Sequence, residues 1–302
     1  MKPAPFLYHV PDTLEEALSL ANQYGYDAKL IAGGQSLVPT MNFRLAQPAV
    51  LIDLNRIQSL SYIKVDDSEE DASMKDETKS LRIGAMTRQR VIERSDIVAR
   101  HTPLLHDTMP YIAHVQIRNR GTIGGSIAHA DPAAELPAVA RTVGARLKVQ
   151  SVQGIRWIRA EDFYVALFTT ELLPEEVLVE IEVPSIGERS GWSVQEVSRR
   201  QGDYAMAGAT ALLTLDEMGC CKEVKITYLS VGDGPVPATQ AEQTLLGTEP
   251  TSDAILAAAE VAATRDVEPT SDIHASATYR RHLVKVLTKR VLEEAVSRAN
   301  GK

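Results

Sequence analysis

The spacing of apolar and polar positions changes character once along the chain, near residue 190. Before that point short apolar runs alternate with helical stripes. Residues 6–10 read as a strand closed by Pro11, and Thr13-Leu14-Glu15-Glu16 is a capping box. Ala17, Leu18, Leu20 and Ala21 supply the apolar stripe of the helix that follows, which Gly25 stops. Residues 29–32 form an apolar strand that runs into Gly33-Gly34, giving a βαβ-like start, and residues 37–41 open a short helix or turn. Further strands are predicted at 50–54, 61–65 and 81–85. Helices are predicted from Thr87, from Ser95-Asp96 and around 104–113. Another is predicted from Pro132, because Asp131-Pro132 puts proline at a first helical position. Residues 145–149, 155–158 and 177–183 read as strands, with a loop beginning at 160–164 and Pro184 ending the last strand.

Residues 184–190 combine proline, serine, glycine and charge with little to bury, which marks a linker. Beyond it come three strands in succession, 191–197, 207–215 and 224–231, then helices at 237–246, 252–263 and 276–298. Strands followed by helices are the signature of an α+β domain with an antiparallel sheet and helices on one face. The predicted domains are therefore 1–184 and 185–302, in a chain of 302 residues that is long enough for two cores. The acidic stretch 66–77 is predicted as a solvated hairpin tip, in preference to a metal site, because its charges lack periodicity.

Candidate chemistry centres on Arg118-Asn119-Arg120-Gly121-Thr122-Ile123-Gly124-Gly125-Ser126. Gly-Gly permits a sharp turn and close ligand approach, and successive free N–H groups in such a turn make a nest for an anion. Glu135, one helical turn after Asp131, is then placed to accept a hydrogen bond from a ribose hydroxyl. Taken alone, this stretch reads as a tight surface turn before a capped helix. The second pair, Gly33-Gly34 with Gln35-Ser36 behind it, changes that reading. Two strand-to-turn nests hold the two phosphates of a dinucleotide from opposite sides. Neither a Gly-x-Gly-x-x-Gly fingerprint nor a Walker A pattern is present, so the dinucleotide is bound by another fold.

Charge and composition narrow the choice. A formal charge of −8 argues against nucleic-acid binding, and no apolar run reaches the ~18–20 residues needed to span a bilayer. The first residues lack the apolar core of a secretory signal, so a cytoplasmic location is expected. The two cysteines are adjacent, Cys220-Cys221, which suits neither an ordinary disulfide nor a four-cysteine cluster; they are expected to fill a strand, one facing in and one out. His101, His106, His114 and His129 lack metal-ligand spacing, and only His129 lies close to the predicted ligand. No catalytic or metal constellation is legible, which suits a chain that supplies binding and orientation to a cofactor.

Ala32-Gly33-Gly34-Gln35-Ser36-Leu37, followed by Thr122-Ile123-Gly124-Gly125-Ser126, resembles the FAD-binding (medium) subunit of the molybdenum hydroxylases, of xanthine dehydrogenase and carbon monoxide dehydrogenase type. The resemblance covers nearly the whole chain. It implies a two-part FAD-binding domain of the vanillyl-alcohol-oxidase type and a smaller C-terminal α+β domain closing over it. Ile31, Ala32, Gly33, Gly34, Gln35, Ser36 and Leu37 match the first phosphate loop, and Thr122, Gly124, Gly125 and Ser126 the second. Glu135 matches an acidic residue near the ribose, and Ile112 and Leu178 match apolar positions lining the cofactor. Tyr204, in Arg199-Arg200-Gln201-Gly202-Asp203-Tyr204-Ala205, matches an aromatic near the flavin; a buried interface tyrosine is the alternative. Where xanthine dehydrogenases carry a lysine this chain has Met206, which argues against NAD as acceptor. Asp272 to Arg280 resembles the family's turn into its last helix and is read as structural.

The resemblance further implies an oxidoreductase subunit whose FAD passes electrons to an external acceptor. A small partner subunit would hold [2Fe–2S] clusters and a large one a molybdenum–pterin cofactor, the three pairing as a dimer of heterotrimers. A standalone flavin oxidase and a non-enzymatic nucleotide-binding protein are the competing readings.

Overall fold

A computed structural model describes residues 2–66 and 79–301. The predicted acidic hairpin tip, apart from its first residue, lies outside the described residues. Strand β1 (Leu7–His9), helix α1 (Leu14–Tyr24), strand β2 (Ala28–Ile31), helix α2 (Leu37–Asn42) and strand β3 (Val50–Asp53) form the first layer. Thr13 caps α1 by accepting the Glu16 amide, and the Asp12 amide donates to the Glu16 carboxylate, as the capping box predicts. All pairs are parallel, but the order is β1-β3-β2. The βαβ-like start is present, since β1 and β2 run parallel in one sheet with α1 between them. Strand β3 inserts between the two because its apolar Val50, Leu51 and Ile52 belong at the buried centre.

Strands β4 (Ile63–Asp66) and β5 (Ser80–Gly84) pair antiparallel on either side of the acidic segment. Helices α3 (Gln89–Glu93), α4 (Asp96–His101), α5 (Pro103–Thr108), α6 (Val115–Arg118), α7 (Ile123–His129) and α8 (Glu135–Thr142) follow. Thr87 does not open α3 as predicted. Its hydroxyl pairs with the Tyr62 amide and carbonyl, so the helix starts two residues later. Helix α8 starts three residues after Pro132. The Asp131 carboxylate takes the Ala133 amide and its carbonyl the Ala134 amide, closing a turn where a helix was predicted.

Strands β6 (Arg146–Ser151) and β7 (Gly154–Arg159) come next, then a single helical turn α9 (Ala160–Phe163) where a loop was predicted. A small hairpin, β8 (Tyr164–Ala166) with β9 (Thr169–Thr170), leads to β10 (Val177–Pro184), which occupies the centre of a five-stranded antiparallel sheet ordered β4-β5-β10-β6-β7. A bulge between Leu178 and Glu180 breaks its register against β6. Leu178, Ile181 and Val183 therefore pack into the core under α5, α7 and α8, while Val177 and Val179 join the core of the first layer.

The C-terminal sheet consists of β11 (Ser190–Val197), β12 (Ala207–Leu215), β13 (Cys221–Leu229) and the short β14 (Val236–Pro237), antiparallel in that order. Helices α10 (Thr239–Leu245), α11 (Ser252–Val261) and α12 (Ala277–Ala299) cover one face, where Ala207, Ala209, Ala211 and Leu213 meet Leu287, Val291 and Ala295. Cys221 is buried in this core, whereas Cys220 precedes the strand. The other face turns toward α5 and α8. There the Thr142 and Thr210 hydroxyls pair at 2.7 Å, and the Trp192 indole N–H donates to Asp107 at 2.9 Å. Among the described residues no helix is long and apolar enough to cross a membrane.

Candidate cofactor-binding site

The first glycine pair lies just beyond the carboxyl end of β2, the end of a parallel sheet outside which ligands bind. The amides of Gly33, Gly34, Gln35 and Ser36 donate to no acceptor among the described residues. Gly34 has φ +72°, a left-handed conformation that turns the run into a concave nest. The Gln35 side-chain amide folds back on the Gly33 carbonyl at 3.0 Å, and the Ser36 carbonyl accepts from the Thr40 hydroxyl and amide, tying the loop to α2. These half-buried amides are the donors that a pyrophosphate requires. The cradle therefore fits the phosphates of a dinucleotide on its own geometry.

The second pair is built differently from the first. Ile123 donates to the Thr87 carbonyl, Gly124 to the Ala85 carbonyl, Gly125 to the Thr122 hydroxyl and Ser126 to the Thr122 carbonyl. The expectation of free amides at this pair is corrected: they are engaged in starting α7, for which Thr122 is the N-cap. Thr122 and Gly124 are buried, and Gly125 and Ser126 come nearer the surface. Ile123 and Ile127 anchor the helix in the core, each contributing about 1.5–3 kcal/mol by burial. The glycines are here for contact. A Cβ on Gly124 would lie 2.5 Å from that of Ala85.

The two pairs touch. A Cβ on Gly33 would lie 2.4 Å from the Arg120 carbonyl oxygen, and one on Gly125 would lie 3.2 Å from the Ala32 methyl. Two side chains that the motif search passed over hold this contact. Asn55, just beyond β3, donates to the Ala32 carbonyl at 2.7 Å and accepts from the Arg88 guanidinium at 2.6 Å. Arg88 also donates to the Arg120 carbonyl. The available signal was position: Asn55 follows a buried strand at the same sheet edge as Gly33-Gly34.

The fixed positive charge ahead of the second pair is largely structural. Arg118 is 6% exposed; it makes a double hydrogen bond to Glu93 at 2.9 and 3.1 Å and also donates to the Ile112 and Ala113 carbonyls. That ties down the segment leading to His114, with Ala113 at φ +43°. Ile112 and Leu178 are both buried in the core beneath α7, and Ile31 and Leu37 are half-buried at the ends of the first loop.

Glu135 opens α8, and burial pushes its carboxyl up to about 7, with Asp131 adding to the shift and its own amide and Arg118 opposing it. Burial and the charge of Glu135 push Glu196 up to about 8, and one Glu196 oxygen has no partner. Tyr204 is 70% exposed, which removes the buried-interface alternative. Its phenol is raised by loss of water at the hydroxyl and by the charges of Asp131 and Glu135. The adjacent Ala205 packs on Ala138 of α8 and on Leu229, and the loop backbone at Gly202 (φ +88°) presses on His114. Phe168 packs against His129 with the ring centroids 5.3 Å apart and the planes tilted by 48°, and burial holds that imidazole below its ordinary value.

A cavity of about 420 Å³ opens elsewhere along the seam, lined by Glu93, Asp107, Tyr111, Glu196, Glu294 and Arg298. None of the predicted cofactor residues lines it. An extended dinucleotide needs a groove of backbone donors, which the glycine loops offer and this acidic cavity does not.

Residues 4–186 match the family described as the FAD binding domain in molybdopterin dehydrogenase, and residues 192–295 match the CO dehydrogenase flavoprotein C-terminal domain. The chain is 42% identical over 299 residues to the 6-hydroxypseudooxynicotine dehydrogenase complex subunit alpha of Paenarthrobacter nicotinovorans, covering 99% of this chain and 97% of that one. It superposes on a chain of carbon monoxide dehydrogenase from Hydrogenophaga pseudoflava, solved lacking the Mo-pyranopterin moiety, with a TM-score of 0.92 at 38% identity over 99% of both chains. A chain of quinoline 2-oxidoreductase from Pseudomonas putida 86 gives a TM-score of 0.89 at 35% identity over 99% of both chains.

Proposed function

We infer that this chain, which belongs to the FAD-binding subunits of the molybdenum hydroxylases, is the electron-transfer component of a larger oxidoreductase. It receives electrons from the [2Fe–2S] clusters of a small partner subunit and delivers them to an external acceptor. A large molybdenum–pterin subunit hydroxylates the substrate with oxygen from water, and the three subunits pair as a dimer of heterotrimers. Bound FAD supplies the redox chemistry; the protein's part is to bind, orient and shield it.

The observation that carries this reading is the run of four acceptor-free amides at Gly33–Ser36, packed against the second glycine pair. In this reading residues 1–184 form the FAD domain and 185–302 the domain that closes on it. The Ile31–Leu37 loop cradles one phosphate. Gly125 and Ser126 face the other, with Thr122 and Gly124 holding their backbone in place. Glu135 takes a ribose hydroxyl, Ile112 and Leu178 form the apolar floor, and Tyr204 covers the flavin edge. Substrate choice belongs to the large subunit. In support, relatives of similar likeness carry names that refer to a nicotine derivative, carbon monoxide and quinoline.

The test is to titrate the purified chain with FAD, then to co-express it with its two partners and follow substrate-dependent bleaching of flavin absorbance. Binding by the chain alone, with bleaching only in the complex, is expected. Failure to bind FAD, or bleaching by substrate without partners, would overturn the assignment.

A further inference from the structure

We propose that Arg280 is a positioning residue that sets the Tyr204 loop against the cofactor cleft. This rests on the reading above that Tyr204 borders the flavin. Arg280 sits in the first turn of α12 and is 6% exposed, an unusual place for a guanidinium. One terminal nitrogen donates to the Met206 carbonyl and, at 2.7 Å, to the Ser230 carbonyl, while the other donates to the Asp272 carboxylate at 2.7 Å. Asp272 supplies the balancing charge, without which burial of the cation would be strongly unfavourable.

The two carbonyls explain why the position matters. Met206 lies two residues beyond Tyr204, at the entry to β12. Ser230 lies just past β13, at φ +63°, and its amide donates to the Pro132 carbonyl at 2.8 Å. Pro132 belongs to the turn between Asp131 and Glu135. A single guanidinium thus links the loop bearing Tyr204 to the strand end that grips the Glu135 turn. The start of the loop is pinned to the same region, since Arg199 donates to the Ile273 carbonyl at 3.0 Å. Asp272 in turn accepts the His274 and Ala275 amides, at 2.8 and 2.9 Å, so the anchor is itself rigid. Between its pins the loop has few bonds of its own, chiefly Asp203 amide to Arg200 carbonyl at 3.0 Å. Its conformation is therefore decided at its ends. A planar fork serves several acceptors at once, and a lysine ammonium in this place reaches fewer of them in fixed geometry.

The experiment uses the full chain loaded with FAD, and reads the visible circular dichroism of the bound flavin, the FAD dissociation constant and the melting temperature. Tyr204→Ala tests the underlying reading, and Thr288→Val is the stability control, since it removes the buried Tyr228–Thr288 hydrogen bond without touching the loop. Arg280→Met is expected to alter the flavin dichroism as Tyr204→Ala does and to weaken FAD about tenfold, the equivalent of one lost hydrogen bond. Arg280→Lys should recover part of both signals. Thr288→Val should lower the melting temperature and leave the flavin signals alone. Wild-type dichroism and affinity in Arg280→Met, alongside an altered Tyr204→Ala, would overturn the proposal and leave Arg280 a stability residue. Wild-type flavin signals in Tyr204→Ala would remove the reading beneath it instead. Should Arg280→Met not fold, Arg280→Lys decides: a changed flavin dichroism supports the proposal, and an unchanged one overturns it.

Discussion

Replacing Gly33 by alanine adds one methyl group at the point where the two glycine loops meet. The new Cβ would stand 2.4 Å from the Arg120 carbonyl oxygen and 2.8 Å from the Gly121 Cα, both main-chain atoms that cannot rotate away. Ordinary contact needs about 3.5 Å, so the loops must part by about 1 Å. Overpacking of this kind costs about 1–3 kcal/mol, and each kcal/mol lowers the melting temperature of a chain this size by about 2–4 °C. The same displacement carries the Gly33–Ser36 amides away from a bound pyrophosphate. Losing one charge-assisted hydrogen bond, about 1.5–3 kcal/mol, raises the FAD dissociation constant about 10- to 100-fold. Fluorescence titration of FAD and thermal melts of the FAD-free chain separate the two effects. Gly219→Ala is the comparison: Gly219 has φ +83° with nothing within 4 Å of the added atom, in a turn of the C-terminal sheet. It should cost about 1–2 kcal/mol of stability by backbone strain and leave FAD affinity near wild type. If Gly33→Ala melted lower yet bound FAD as tightly as wild type, the loops would not be the pyrophosphate cradle. If its melting were unchanged as well, the close packing itself would be wrong.

Three further predictions follow from the same geometry. Arg88→Met removes the clamp that joins Asn55 to the Arg120 carbonyl, and should weaken FAD about 5- to 20-fold by loosening both loops, an effect of about 1–2 kcal/mol by titration. Arg118→Met leaves Glu93 with Arg90 as its remaining ion-pair partner and frees the Ile112 and Ala113 carbonyls, so urea unfolding should show a loss of about 2–4 kcal/mol; an undiminished stability would contradict the buried pair. Glu135 and Glu196 are raised from 4.5 to about 7 and about 8, so between those limits the folded chain holds protons that the unfolded chain has released. FAD-free stability should therefore fall as pH rises through that window, by on the order of 3 kcal/mol for Glu135. Melts of Glu135→Gln should match wild type near about pH 4.5 and exceed it near about pH 8, whereas an equal difference at both would reject the assignment.

Much of the fold was legible along the chain because its signals are local. The capping box at Thr13 and Glu16 needs only neighbours in sequence, and so does the apolar run of β3. The succession of strands then helices after residue 190 is similarly direct, and the paired glycine motifs pointed to a dinucleotide and to the family. The errors arose where a distant partner captured a local signal. Thr87 looked like a helix start, but Tyr62 from a neighbouring strand took its hydroxyl. Asp131-Pro132 looked like another, yet the turn it closes also supplies the Pro132 carbonyl to Ser230 across the domain seam.

The sequence by itself determined most of the strands and helices and what kind of cofactor the family binds, since periodicity, caps and glycine motifs act through nearest neighbours. Only the tertiary structure decided that one glycine pair leaves its amides free while the other uses them to start a helix. Both pairs are equally able to turn. The difference is that the carbonyls of Ala85 and Thr87 lie within reach of the second pair, and among the described residues no acceptor takes the amides of the first. The same is true of Arg118, Asn55, Arg88 and Arg280, whose charges and amides meet partners 23 to 74 residues away. Such partners are chosen by packing, because a buried donor without an acceptor is costly and the folded chain is the arrangement that supplies one.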